Sequence, residues 1–148
     1  MDAELKREII MEHYQNPLNK DKVIGEGYEK VNTSNQSCID NIDLYILIKD
    51  NIIKDICFTG EACAISISST SIMIKNLIGK TVNEAKEYIN NFLNMVNEKE
   101  YNKDLLNEGL VYEDIYKQSS RKTCASLPYR GIVEVLDLSL IHIWRCRR

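Results

Sequence analysis

Three thiols and one carboxylate stand where this sequence can build chemistry. Cys38 and Asp40 lie in Ser37-Cys38-Ile39-Asp40, a polar turn before a long apolar run. Cys63 closes Gly60-Glu61-Ala62-Cys63, between a strand pattern and a helix pattern. Cys124 follows Arg121-Lys122-Thr123 and leads into a last helical segment. Each thiol sits at the edge of a regular element, where a ligand is held rigidly yet reached from outside. Cys38 and Asp40 are two residues apart, so in extended backbone their side chains point the same way. Three thiolates and a carboxylate make a tetrahedral set for zinc, or an incomplete ligand set for an iron–sulfur cluster. A carboxylate among thiolates is harder and more exchangeable, which suits a transfer site better than a permanent structural one. There is no Cys-x-x-Cys pair, and three scattered cysteines can equally be small buried hydrophobes. Spacing alone leaves both readings open.

Local charge separates these thiols from the others. The positive end of a helix at Cys63 favours a thiolate, and Arg121 with Lys122 can do the same for Cys124. Cys57 falls inside a strand pattern with no ligand-type residue beside it and reads as a packed strand thiol. His13 lies on the apolar side of the first helix and reads as a structural histidine. The charges around residues 98–104 read as a solvated surface.

The elements that must position these residues follow from periodicity. Leu5, Ile9, Ile10 and His13 recur at helical spacing, and Asn16-Pro17 ends that helix because the residue before proline avoids helical backbone. From Tyr28 the period becomes two. A short strand at 28–32 precedes Ile42–Ile48, a turn at Lys49-Asp50-Asn51, and a returning strand from Ile52 to Thr59. Gly60-Glu61 breaks the strand pattern. From Cys63 a small-residue apolar segment runs to Leu77-Ile78 and stops at Gly79, long enough for about four helical turns, with Ile67, Ile74 and Ile78 on one face. Thr81-Val82-Asn83-Glu84 is a capping box opening a helix to about Asn97. Residues 98–120 allow one or two short helices, and Cys124 opens a final helix through Leu136. The expected fold is α+β: a three-stranded antiparallel sheet with helices on one face, and the candidate site at one end of the sheet.

Composition bounds the rest. The chain has 148 residues, a net charge of −3 and 5 cysteines. That length suits one domain, expected over 1–138, with a core large enough to need no disulfide. Residues 139–148 are expected to be an extraneous tail, so His142 and Cys146 are set apart from the site. The net charge excludes a strongly basic nucleic-acid binder. No apolar run is long enough to span a bilayer and the first residues carry no signal-peptide core, so a cytoplasmic protein with reduced thiols is expected.

The motifs also carry a resemblance. Met11-Glu12-His13-Tyr14-Gln15-Asn16-Pro17-Leu18-Asn19, Cys38-Ile39-Asp40, Gly60-Glu61-Ala62-Cys63-Ala64-Ile65-Ser66-Ile67-Ser68 and Arg121-Lys122-Thr123-Cys124-Ala125-Ser126-Leu127 occur in order. Together they resemble the iron–sulfur cluster assembly family of the NifU N-terminal domain and IscU, over roughly Leu5 to Leu136. Two features resemble its SufU branch. Thr123 stands where IscU-type scaffolds carry histidine, and the interval between Cys63 and Cys124 is lengthened by an insertion at about 98–120.

That resemblance implies a Zn²⁺ held by Cys38, Asp40, Cys63 and Cys124, and a sulfurtransferase-like acceptor rather than a free-standing enzyme. Cys38 is the implied persulfide acceptor. Arg121 matches a basic residue of the branch and is expected to offset the charge of the thiolates. The implied partners are a SufS-type, PLP-dependent cysteine desulfurase and downstream iron–sulfur assembly proteins. The alternatives are a scaffold assembling a transient [2Fe–2S] cluster on the same residues, and a non-catalytic structural zinc domain. Ile39 and Ala62 stand where the family has glycine, and the expected consequence is a stiffer, altered loop geometry.

Overall fold

A computed structural model of the chain describes residues 1–36 and 38–146, with side chains to Asp137. Helix α1 (Ala3–Gln15) is capped by Asp2, whose carboxylate accepts from the Leu5 N–H. Strands β1 (Glu29–Ser34), β2 (Asn41–Lys49) and β3 (Ile52–Glu61) form an antiparallel meander in the order β1-β2-β3. The β2–β3 turn uses Asp50 and Asn51, both at positive φ, residue types that tolerate that conformation.

Alternation sets the two faces of the sheet. Ile42, Leu44, Ile46, Ile56 and Phe58 share one buried face, and the register pairs Leu44 with Phe58 and Ile46 with Ile56. Against it pack α2 (Ala64–Leu77), α3 (Val82–Val96) and α4 (Ser119–Cys146). The other face carries Tyr45, Asp55 and Cys57. There Asp55 accepts from Lys22 and from the Tyr28 hydroxyl, tying down the stretch that precedes β1.

Helix α2 is the central element, and its sequence hides that. Ser66, Ser68, Ser69, Thr70 and Ser71 are all buried, because each hydroxyl has a partner. A helix buried nearly all round normally reads as apolar all round. Here short hydroxyl side chains let α1 and α4 approach closely. Of the three isoleucines expected on one face, Ile74 is fully buried, Ile67 is half-buried, and Ile78 is exposed beyond the helix end.

Helix α3 carries the expected capping box, with Thr81 and Glu84 bonding each other's backbone N–H groups. Its buried stripe includes Ala85, Tyr88, Ile89 and Phe92, and Phe92 stacks on Tyr129 of α4 with ring centroids 3.9 Å apart. The segment from 98 to 118 holds three short 3-10 turns, Lys103–Leu105, Asn107–Tyr112 and Ile115–Lys117. Its charged start is exposed, whereas Leu106, Val111 and Tyr112 enter the core.

Several boundaries differ from expectation, and β1 runs to Ser34 rather than Asn32. Strand β3 passes through Gly60 to Glu61, because glycine adopts φ +123° there and pairing with β2 continues. Helix α4 starts at Ser119 rather than Cys124, so Arg121 lies in its first turn. Its backbone continues as helix to Cys146. The side chains of residues 138–148, including His142 and Cys146, lie outside the described residues, as does the reading of 139–148 as a tail. No helix among the described residues is long and apolar enough to cross a membrane.

Candidate metal centre

The end of the sheet that carries the β1–β2 connection, the β3–α2 junction and the first turns of α4 brings four side chains together. One ligand atom each from Cys38, Asp40, Cys63 and Cys124 lies within 4.8 Å of all the others. Asp40 immediately precedes β2, and the connection is closed by bonds from Asn35 N–H to Asp40 C=O and from Cys38 N–H to Asn35 C=O. Cys63 is the N-cap of α2. Cys124 projects from the second turn of α4.

The four differ in access. Cys38 is exposed, Cys63 is intermediate, Cys124 is 6% exposed and Asp40 is 2% exposed. The thiols open on a cleft of about 780 Å³, which Asn35, Ile65 and Arg121 also line. Asp40 is buried at this end of the sheet. Its Oδ1 accepts from the Cys63 backbone N–H at 2.7 Å, and its Oδ2 accepts from the Ser66 hydroxyl at 2.6 Å. The carboxylate therefore closes the positive end of α2.

Burial opposes ionisation of Asp40. The bonds from Ser66 and Cys63 outweigh it and hold the carboxyl below its ordinary value. Cys124 goes the other way. Burial, then the neighbouring Asp40 and Cys63, push its thiol far up. Arg121 is exposed at the cleft rim while Asp40 is in direct contact, so Asp40 rather than the basic pair expected to act on Cys124 sets this direction. A bound cation reverses this balance, since a coordinated thiol is deprotonated outright.

Ile39 and Ala62 do not strain the site. Neither is among the positive-φ residues, and Ile39 turns its side chain outward, 68% exposed. The residue that needs glycine is Gly60. A Cβ there would meet the Asn41 carbonyl oxygen at 2.2 Å.

Cys57 is buried as expected, 1% exposed. It does have a ligand-type neighbour, contrary to expectation: Asp55 on the same sheet face, 3.4 Å from its Sγ. Burial and Asp55 raise the Cys57 thiol to about 11. It stands apart from the quartet. His13 is the structural histidine expected, bonded to Ser71 and Glu108.

Two neighbours of the quartet escaped sequence reasoning. Ser66 lies three residues after Cys63, so helical spacing places it on the same side of α2. Asn35 donates to the Cys124 Sγ at 3.7 Å, and no spacing rule points to it.

The model of the NifU-like N terminal domain matches residues 5–125. The chain belongs to that family. As a NifU-like N-terminal domain it is 33% identical over 129 residues to the zinc-dependent sulfurtransferase SufU of Bacillus subtilis, covering 86% of each protein. It is 30% identical over 123 residues to the iron–sulfur cluster assembly scaffold protein IscU of Thermotoga maritima, covering 83% of this chain and 82% of that one. The crystal structure of a putative iron–sulfur cluster assembly scaffold protein for the SUF system, from Fervidobacterium islandicum AW-1, superimposes with a TM-score of 0.79. It is 34% identical, covering 88% of this chain and 93% of that one.

The residues present fit a metal ion. Three soft sulfur donors and one oxygen converge from three separate segments, and zinc takes such a set at about 2.0–2.3 Å from each donor. A backbone N–H already fixes one oxygen of the carboxylate, the kind of outer support that metal ligands require.

Proposed function

We propose that this chain is a zinc-dependent sulfur acceptor of iron–sulfur cluster biogenesis. It takes sulfur from a SufS-type, PLP-dependent cysteine desulfurase and hands it to downstream assembly proteins. The observation that carries this reading is the convergence of Cys38, Asp40, Cys63 and Cys124 at the edge of an open cleft, with Cys38 the most exposed. Those four residues would hold the zinc, whose charge keeps thiols deprotonated and shields them from oxidation.

The chain's own residues divide the work. Cys38, on the connection between β1 and β2, faces solvent and meets the donor. Its thiolate attacks the outer sulfur of the donor's cysteine persulfide. A new S–S bond forms on Cys38 Sγ, the donor's S–S bond breaks, and the donor cysteine leaves as a thiolate. Cys63 and Cys124, fixed on helices, keep the site in shape. Asp40 is the ligand that exchanges most readily, being the hard donor among soft ones. Arg121 at the cleft rim offsets the negative charge that three thiolates and a carboxylate bring together. A cytoplasmic setting, where thiols stay reduced, suits this chemistry.

The same four residues can also carry an iron–sulfur cluster as cargo, which is what the name of the Thermotoga maritima protein says of that protein. Thr123, where IscU-type scaffolds as a group resemble one another in carrying histidine, favours the sulfur-acceptor reading here.

The test is anaerobic purification with metal analysis, followed by incubation with a desulfurase and cysteine. Zinc near one equivalent and a chain heavier by one sulfur support the proposal. Bound iron with labile sulfide and no persulfide on the chain would replace it with the scaffold reading.

A further inference from the structure

The Ser66 hydroxyl touches three of the four members of the centre and has one proton to give. Its Oγ lies 2.6 Å from Asp40 Oδ2, 3.2 Å from the Cys124 carbonyl oxygen and 3.5 Å from Cys63 Sγ, and the residue is fully buried. Carboxylate and carbonyl are both acceptors, so only one of them can hold the proton at a time. The charged Asp40, at the shorter distance, holds it.

The second acceptor is there because of the sequence of α4. Pro128 lies inside that helix, one turn after Cys124. Proline has no N–H, so the helical bond that would engage the Cys124 carbonyl is not made. The carbonyl that α4 leaves without its helical donor is the one Ser66 reaches.

We propose that Ser66 is a positioning residue with two settings, which makes Asp40 an exchangeable ligand. This rests on the reading of the quartet as a metal centre. With the centre empty, Ser66 donates to Asp40 and stabilises the free carboxylate. When Asp40 engages a cation, the cation draws charge from the carboxylate, and Ser66 turns its proton to the Cys124 carbonyl. The hydroxyl thus competes with the metal for Asp40, and its second acceptor keeps the exchange from stranding a buried donor.

The sign of one substitution separates this from a packing role. Ser66→Ala removes the competitor, so zinc should bind about tenfold more tightly, the order of the difference between a hydrogen bond to a charged group and one to a carbonyl. It should also leave more slowly into excess chelator. A residue that merely oriented a ligand or filled space would instead weaken binding when removed.

Ser69→Ala is the control. Ser69 is equally buried on α2 and donates to the next carbonyl of α4, that of Ala125, at 2.6 Å, as a helix-to-helix clasp. It should lower stability without changing zinc affinity. In an Asp40→Ala background, Ser66→Ala should have no further effect on affinity, because the competition has lost its object.

The measurements are zinc Kd by competition with a chromophoric chelator, and the rise in Tm on loading. A weaker or unchanged Kd in Ser66→Ala, an equal shift in Ser69→Ala, or a shift that persists without Asp40 overturns the proposal. If Ser66→Ala is unstable without metal, the rate of zinc release from the loaded protein takes the place of Kd, and failure to fold even with zinc overturns the proposal. A parent chain that binds no zinc overturns the metal reading itself, which is a different result.

Discussion

His13 Nε2 lies 2.7 Å from Glu108 Oε2, and His13 Nδ1 lies 2.7 Å from the Ser71 hydroxyl. One imidazole thereby joins α1, α2 and the segment between α3 and α4. Lys75 also donates to Glu108. Burial opposes ionisation of Glu108, but the bonds from Lys75 and His13 outweigh it and hold the carboxyl below its ordinary 4.5. A depressed carboxyl contributes stability above its unfolded value and loses that contribution as pH falls through its folded value. Glu108→Gln should therefore cost about 1 kcal/mol at pH 7, discounted for its partial exposure, and much less at pH 3. Urea midpoints of both proteins at the two pH values check this. An equal cost at pH 3 would mean the clasp is not ionic.

Gly60 ties the sheet edge to the site. Its φ of +123° and its approach to the Asn41 carbonyl leave no room for a Cβ. Asn41 follows Asp40, and Gly60 lies three residues before Cys63. Gly60→Ala should destabilise the fold by more than about 2 kcal/mol, through strain at a backbone conformation other residues avoid. It should also weaken zinc binding, by moving Asp40 against Cys63. Denaturant unfolding and chelator competition on the same variant separate the two effects. Unchanged metal affinity would show that the strand end yields without disturbing the site.

The sheet was legible because its alternation is plain. Ile42, Leu44 and Ile46 read inward and are buried, and Asp50-Asn51 reads as the turn it forms. The quartet was legible as residue types at element edges, and the family motifs gave it coherence. The surroundings were not. Ser66 looks like any small helix residue, and only its place beside Asp40 and Cys124 gives it meaning. Helix α2 resembled a one-faced helix because burial by paired hydroxyls leaves no hydrophobic period to read. Leu5 shows the reverse: it fits the apolar period of α1, yet it is 44% exposed. The early start of α4 was missed because Ser119-Ser120-Arg121-Lys122 carries no apolar residue to mark a turn.

Metal should be part of the fold. Ligands come from three segments distant in sequence, so zinc binding is linked directly to their assembly. Chelation should lower Tm by several degrees, taking the linked contribution as about 1–3 kcal/mol for a chain of this size. Differential scanning with and without chelator, with metal content verified, is the measurement. Superimposable curves after verified removal would mean that the three segments assemble without the ion.

The last prediction distinguishes the three thiols by kind. If one accepts sulfur and the others only hold metal, their serine variants must fail differently. Serine keeps the size of cysteine but is a poor nucleophile and a poor zinc ligand at neutral pH. Cys38→Ser should end acceptance of sulfur from a SufS-type desulfurase while the protein stays folded, because Cys38 is exposed on a connection and holds little of the core. Cys63→Ser should lose zinc, and with it stability, first, since the Cys63 thiol is a donor held in place at the start of α2. Cys124→Ser should fall between them. The residue is buried at the quartet yet still lines the cleft, so it is a ligand first and the less accessible second thiol. Cys57→Ser should transfer sulfur normally, because Cys57 lies on the opposite face of the sheet with its thiol held protonated near 11. Intact-mass detection of one added sulfur, after desulfurase and cysteine are supplied, reads all four variants. Persulfide formed on Cys57 alone, with Cys38, Cys63 and Cys124 all dispensable, would sink the sulfur-acceptor reading. Loss of the added sulfur in Cys38→Ser, with fold and most of the zinc retained, would establish the division of labour.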